Sequence, residues 1–121
     1  MSPMPTIRYS VIIPHKDIPD LLNRLLRSIP QREDIEVFVV DDNSDPKIIA
    51  NYQELENVNY RYTHESCGAG YARNIALREA RGEWLLFADA DDYFLSGAFD
   101  LFDCHATDEA DIIYFKCEED D

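Results

Sequence analysis

Two apolar runs in this chain stop abruptly at clusters of aspartate, and that pattern constrains the fold more than any other feature of the sequence. Residues 35–40 (IEVFVV) run into Asp41-Asp42-Asn43-Ser44-Asp45, and residues 84–88 (WLLFA) run into Asp89-Ala90-Asp91-Asp92. A stretch of this length that is continuously apolar at its end reads as a buried strand, with the polar cluster as the loop that follows it. Residues 9–14 (YSVIIP) form a third such run, β-branched and closed by proline, and residues 58–63 (VNYRYT) alternate as a more exposed strand.

Between these runs the spacing turns helical. Leu21, Leu22, Leu25, Leu26 and Ile29 share one face of a helix over 20–29. Asp45 and Pro46 supply a capping carboxylate and a first-turn proline for a second helix carrying Ile48, Ile49, Tyr52 and Leu55. A third begins near Gly70 with Ala72, Ile75, Ala76 and Ala80 as its apolar stripe, and Gly82 stands where a left-handed C-terminal cap is wanted. Residues 96–103 predict a short fourth helix and residues 111–116 (DIIYFK) a fifth strand. Strands alternating with helices in this way specify an α/β domain with a mainly parallel sheet, helices on both faces and right-handed crossovers. Successive strands then end on one rim, which gathers residues 14–17, 41–45 and 89–92 with the loop into the third helix.

At 121 residues, 45% of them hydrophobic, the chain suits one domain with a core of its own, spanning 1–121. Its net charge of −14 repels nucleic-acid backbones and anionic lipid heads, so neither is an expected partner. No apolar stretch approaches the ~18 residues of a membrane span. Cys67, Cys104 and Cys117 form no C-x-x-C pair, which argues against structural zinc or a disulfide framework and for a reducing cytoplasm. An anionic ligand on so acidic a chain needs a local positive charge, and a divalent cation held by carboxylates supplies one.

Asp89 and Asp91 are the first candidates to hold that cation. Two residues apart after a strand, they share a side if the backbone stays extended, and Mg2+ or Mn2+ on such a pair completes its shell with water and diphosphate oxygens. A lone D-x-D equally describes a solvated turn with Asp92 or Ser96 capping the next helix. A calcium loop of the EF-hand kind fails, because its glycine and glutamate positions hold Phe94 and Asp100 counted from Asp89, and Pro46 and Tyr52 counted from Asp41. A haloacid-dehalogenase site fails too, since its D-x-D follows the first strand.

Asp42 reads either as a turn residue or as an acceptor for the ring N–H of uracil, thymine or guanine, a proton that cytosine lacks. Gly68 and Gly70 let a ligand approach the start of the third helix, where Gly70 leaves N–H groups to an anion. Arg73 spoils a dinucleotide G-x-G-x-x-G fingerprint and pairs with either the aspartates of 89–92 or a phosphate. His15 and Lys16 stand at the first strand's rim without an assigned role.

In order along the chain, SVIIP (10–14), VVDDNS (39–44), GAGYARNIAL (68–77) and GEWLLFADADD (82–92) closely resemble family 2 glycosyltransferases of the GT-A fold, over roughly residues 9–116. The likeness is to the Rossmann-like, N-terminal nucleotide-binding half of that family's catalytic domain. It implies transfer of a sugar from a nucleotide diphosphate donor to an acceptor hydroxyl, with inversion at the anomeric carbon, in polysaccharide or glycoconjugate synthesis. It also implies that Pro14 contacts the nucleotide through its backbone, that Asp42 holds the base, and that Asp91 binds the metal with Asp89 near metal and ribose. Arg73 matches the arginine of the family's A-R-N segment.

The donor is then a uridine, thymidine or guanosine diphosphate sugar. The acceptor is a sugar or glycolipid met by the full-length protein, in the cytoplasm or at the inner face of the membrane. Pro14-His15-Lys16-Asp17 departs from the proline-x-tyrosine-asparagine of many members, which bears on the ribose contacts. The family's general base has no matching position before Asp121, so no catalytic residue is assigned and the acceptor site is expected beyond this chain. Two other readings use the same architecture: a non-catalytic module associating through an open sheet edge, and a sugar nucleotidyltransferase. The second is opposed by the absence of glycine in 14–19, and a receiver domain by an acidic pair that follows the second strand rather than the first.

Overall fold

In the computed structural model, which describes residues 6–63, 68–106 and 109, strand and helix alternate as the hydrophobic spacing predicts. The order is β1 (Tyr9–His15), α1 (Pro19–Arg27), β2 (Ile35–Asp42), α2 (Pro46–Ala50), β3 (Asn59–Thr63), α3 (Ala69–Leu77), β4 (Trp84–Phe87) and α4 (Ala98–His105). The predicted strand over 111–116 lies outside the described residues. The four strands are all parallel, in the order β3-β2-β1-β4. Chain order reverses between β1 and β4, and a crevice at such a reversal, beyond the carboxyl ends of the strands, is where open α/β sheets take ligands.

Side-chain alternation splits the core in two. Tyr9, Val11 and Ile13 of β1 and Val37 and Val39 of β2 face α1, through Leu22, Leu25 and Leu26, and Phe99 of α4. Ile12, Phe38 and Val40 point the other way, against Ala72 and Ala76 of α3. The alanines matter because small side chains let α3 lie close on the sheet. Burial of each large aliphatic side chain stabilises by roughly 1.5–3 kcal/mol, which is what outweighs the weak intrinsic stability of helices this short.

Several local expectations change. The Asp45 side chain does cap α2, accepting from the Lys47 N–H at 2.9 Å, but α2 ends at Ala50, so Leu55 lies beyond it and is exposed. α4 starts at Ala98 behind Gly97, which takes φ 83°, and neither Asp92 nor Ser96 caps it. β4 is not covered on both faces among the described residues: Trp84 and Leu86 meet the core, whereas Leu85 and Phe87 are exposed.

Gly82 is not a helix cap. α3 ends at Leu77, five residues earlier, with Arg78 in ordinary right-handed conformation. Glycine is needed at 82 because a Cβ there would sit 2.5 Å from Ser10 Oγ and 2.6 Å from the Ser10 backbone nitrogen. The close approach carries a buried network. The Gly82 N–H donates to Ser10 Oγ at 2.8 Å, Ser10 Oγ donates to Glu36 Oε2 at 2.6 Å, and the Arg81 N–H donates to the same oxygen at 2.6 Å. These bonds lash the α3–β4 connection to the end of the sheet away from the rim.

Candidate functional site

β1 outruns β4 at the rim. Ladder bonds to β4 run from the Trp84 N–H to the Arg8 carbonyl and from the Ala88 N–H to the Ile12 carbonyl, so the next β1 residue facing β4 is Pro14. Proline lacks the N–H that would carry the ladder one step further, so the pairing of β1 with β4 stops at Ile12 and Phe87. Pro14 therefore stands, half-buried, at the reversal of strand order.

The two aspartates that end β2 point to opposite faces, as alternation requires. Asp41 is buried and accepts from His15 Nδ1 at 2.8 Å, the Ser44 N–H at 2.9 Å and Ser44 Oγ at 2.7 Å. His15 Nε2 accepts the Ile18 N–H at 3.1 Å, so the ring carries its proton on Nδ1 and donates it to Asp41. Burial raises the Asp41 carboxyl, but the bonds from His15 and Ser44 outweigh it and leave it below the ordinary carboxylate value. Ser44 Oγ also accepts the Asp17 N–H, and Asp17 Oδ1 accepts the Asp45 N–H. Asp17 and Asn43 adopt left-handed backbone, φ 59° and 58°, which aspartate and asparagine tolerate better than most residues. His15, unassigned from sequence, is thus the pin between the ends of β1 and β2. Its partner lies 26 residues away, beyond the reach of any local pattern.

Asp42 turns towards α3. Its Oδ2 accepts the Gly68 N–H at 3.0 Å and its Oδ1 the Thr63 hydroxyl at 3.2 Å. Gly68 stands at the N-cap of α3 with positive φ, 88°, and contributes no side chain to the first turn, in which Gly70 is exposed. One step after buried Ala72, Arg73 sends Nη2 to Asp89 Oδ1 at 3.1 Å. Its Nε is buried with no hydrogen-bond partner among the described residues.

Asp89 and Asp91 meet through a tight turn, not through extended backbone. The Asp92 N–H donates to the Asp89 carbonyl at 2.9 Å, and Asp92 Oδ2 accepts the Asp89 N–H at 3.3 Å. The turn folds Asp92, expected only to cap or face solvent, into the group: oxygens of Asp89, Asp91 and Asp92 all lie within 4.8 Å of one another on the surface. Three like charges this close repel unless a cation lies among them. An all-oxygen, carboxylate-rich donor set suits a hard divalent ion such as Mg2+ or Mn2+. Arg24 of α1, absent from the sequence-based candidates, donates from Nη2 to the Asp91 carbonyl oxygen at 2.7 Å.

The rim thus joins Pro14, Asp42, Gly70, Arg73 and the aspartate turn around one reversal of strand order, and residues 10–118 match Glycosyl transferase family 2. The chain belongs to that family. Over 114 residues it is 36% identical to the poly(ribitol-phosphate) beta-N-acetylglucosaminyltransferase TarS of Staphylococcus aureus, across 84% of this chain and 20% of TarS. The crystal structure of S. aureus TarS 1–349 superposes with a TM-score of 0.68 at 30% identity, covering 81% of this chain and 32% of that one. A mannosyltransferase from Pyrobaculum calidifontis, PcManGT, in complex with GDP-Man and Mn2+, superposes with a TM-score of 0.58 at 30% identity, over 77% of this chain and 30% of its own. The fold is that of GT-A glycosyltransferases, and the chain spans about a fifth of the length of TarS. No helix among the described residues is long and apolar enough to cross a membrane.

Proposed function

We propose that this family 2 domain binds a nucleotide diphosphate sugar together with Mg2+ or Mn2+, as the donor half of an inverting glycosyltransferase in polysaccharide or glycoconjugate synthesis. The observation that carries this is the turn in which Asp89, Asp91 and Asp92 converge within 4.8 Å, at the end of the strand where chain order reverses. PcManGT, with the same fold, holds GDP-Man and Mn2+, which supports the same ligand class here. Asp91 and Asp89, with Asp92 beside them, would hold the ion, which when bound would supply positive charge against the diphosphate leaving group.

The chain's own residues do the rest of the binding. Asp42 accepts the ring N–H of a uracil, thymine or guanine base. Pro14 offers backbone contact to the nucleotide. The first turn of α3 at Gly70, whose N-cap Gly68 brings no side chain to it, presents positive potential to phosphate with Arg73 behind it, on a chain whose net charge is −14. The acceptor is a sugar or glycolipid on the cytoplasmic side, and the general base for its hydroxyl is assigned to none of these residues.

Calorimetric titration of uridine and guanosine diphosphates, with Mn2+ and then with chelator, tests the assignment. Mn2+ should raise the affinity of the wild-type chain, and Asp91→Ala should lose most of that gain while its melting temperature stays put. Equal affinities with and without metal would remove the aspartate turn from the donor site.

A further inference from the structure

Two arginines reach the Asp89–Asp92 turn from opposite faces of the sheet. Arg73, on α3, takes the side chain of Asp89. Arg24, on α1, takes a main-chain oxygen instead: Nη2 donates to the Asp91 carbonyl at 2.7 Å, while the guanidinium lies over the Tyr93 ring at 4.6 Å from its centroid. We infer that Arg24 is a positioning residue for the divalent cation, fixing the backbone of Asp91 so that the three carboxylates converge. The inference rests on the metal reading above.

Neither end of this strut is loose. Leu22, Leu25 and Leu26 bury α1 on both sides of Arg24 in sequence, so the arm starts from a fixed helix, and stacking on Tyr93 holds the planar head. Among the described residues, the other ties of the turn are its backbone bond, the Arg73 bond to Asp89 Oδ1 and the 3.3 Å contact from the Asp89 N–H to Asp92, and a cation drawing on the Asp89 and Asp92 oxygens competes for both of those side-chain acceptors. The clamp at Asp91 draws on no carboxylate oxygen, so it survives when the carboxylates turn to metal. Loss of such an outer contact typically costs 10–100-fold in metal affinity.

Charge alone gives the opposite sign. A guanidinium beside the turn repels a divalent cation, so if Arg24 acted only through its charge, its removal would tighten metal binding. Mn2+ titrations of the 121-residue chain, followed by electron paramagnetic resonance, separate the two. Arg24→Ala should bind Mn2+ about tenfold or more weakly at an unchanged melting temperature, because the side chain is exposed. Arg24→Lys keeps the charge but has neither the planar stack nor the fork, and should fall between Arg24→Ala and wild type. In metal-free protein, amide exchange over 89–93 should be faster in Arg24→Ala. Mn2+ binding by Arg24→Ala as tight as wild type, or tighter, overturns the inference while leaving the metal site standing. A wild-type chain that takes up no Mn2+, or an Asp91→Ala chain that binds it equally well, overturns the site and the inference with it.

Discussion

At Gly82 a single methyl group decides the spacing between β4 and β1. An alanine Cβ would meet the Ser10 backbone nitrogen at 2.6 Å and the Trp84 carbonyl oxygen at 2.9 Å, and neither atom swings away as a side chain does. Gly82→Ala should therefore lower unfolding free energy by about 1–3 kcal/mol, the usual scale of overpacking, with an unchanged urea m-value. An unchanged urea midpoint would mean that β4 shifts freely. Asp42 carries a double load, bonded to Gly68 and Thr63 and proposed to bind the base. A hydrogen bond to a charged group is worth roughly 1.5–3 kcal/mol, so Asp42→Asn should weaken uridine diphosphate binding by about one to two powers of ten. Equal calorimetric affinities would confine Asp42 to its structural bonds.

Elements were legible in the sequence wherever their signal was local. The runs over 9–14 and 35–40 and the leucines of α1 report burial by spacing alone, and Asp45-Pro46 announces a helix start through bonds made within two residues. What escaped depends on contacts across the fold. Gly82 reads as a cap until Ser10, 72 positions away, is seen beneath it, and Arg24 reads as helix surface until Asp91, 67 positions away, is seen above it. The D-x-D spacing was right about which residues gather and wrong about how, since the turn that joins Asp89 to Asp92 also draws in a third carboxylate. Asp92→Ala should thus be more than a surface change: it removes both a ligand candidate and the acceptor for the Asp89 N–H, and should cut the Mn2+-dependent gain in nucleotide affinity severalfold. A full metal effect in that variant would return Asp92 to solvent.

For the whole molecule, net charge and paired carboxylates pull stability in opposite directions along the pH axis. As pH falls from neutrality towards about 5, exposed carboxylates begin to take up protons and the self-repulsion of a −14 chain eases, so stability should rise slightly. Below about 4 the sign reverses. Arg32 holds the carboxyls of Asp34 and Asp103 below the ordinary 3.8, and Asp41 is held there by its bonds from His15 and Ser44. A depressed carboxylate stabilises above its unfolded pKa, and that share is lost as pH falls through the folded value.

The alkaline limb belongs largely to tyrosine. Burial, and then the 2.8 Å bond to Asp103, push the Tyr9 hydroxyl from 10.0 to about 12. A raised group stabilises fully below its unfolded pKa and loses that share as pH climbs through the folded one, which sets the window at pH 10 to 12 for Tyr9. Burial raises the Tyr52 and Tyr62 hydroxyls as well, so Tyr9→Phe should make the alkaline loss shallower without abolishing it. Two magnitudes agree on the share of Tyr9. The shift corresponds to about 3 kcal/mol at most, and a hydrogen bond to a carboxylate to roughly 1.5–3. Urea midpoints from pH 3 to 12 on both proteins should show Tyr9→Phe less stable at pH 7 and converging on wild type by pH 12. Parallel curves across pH 10 to 12 would mean that Tyr9 ionises no differently in the folded chain.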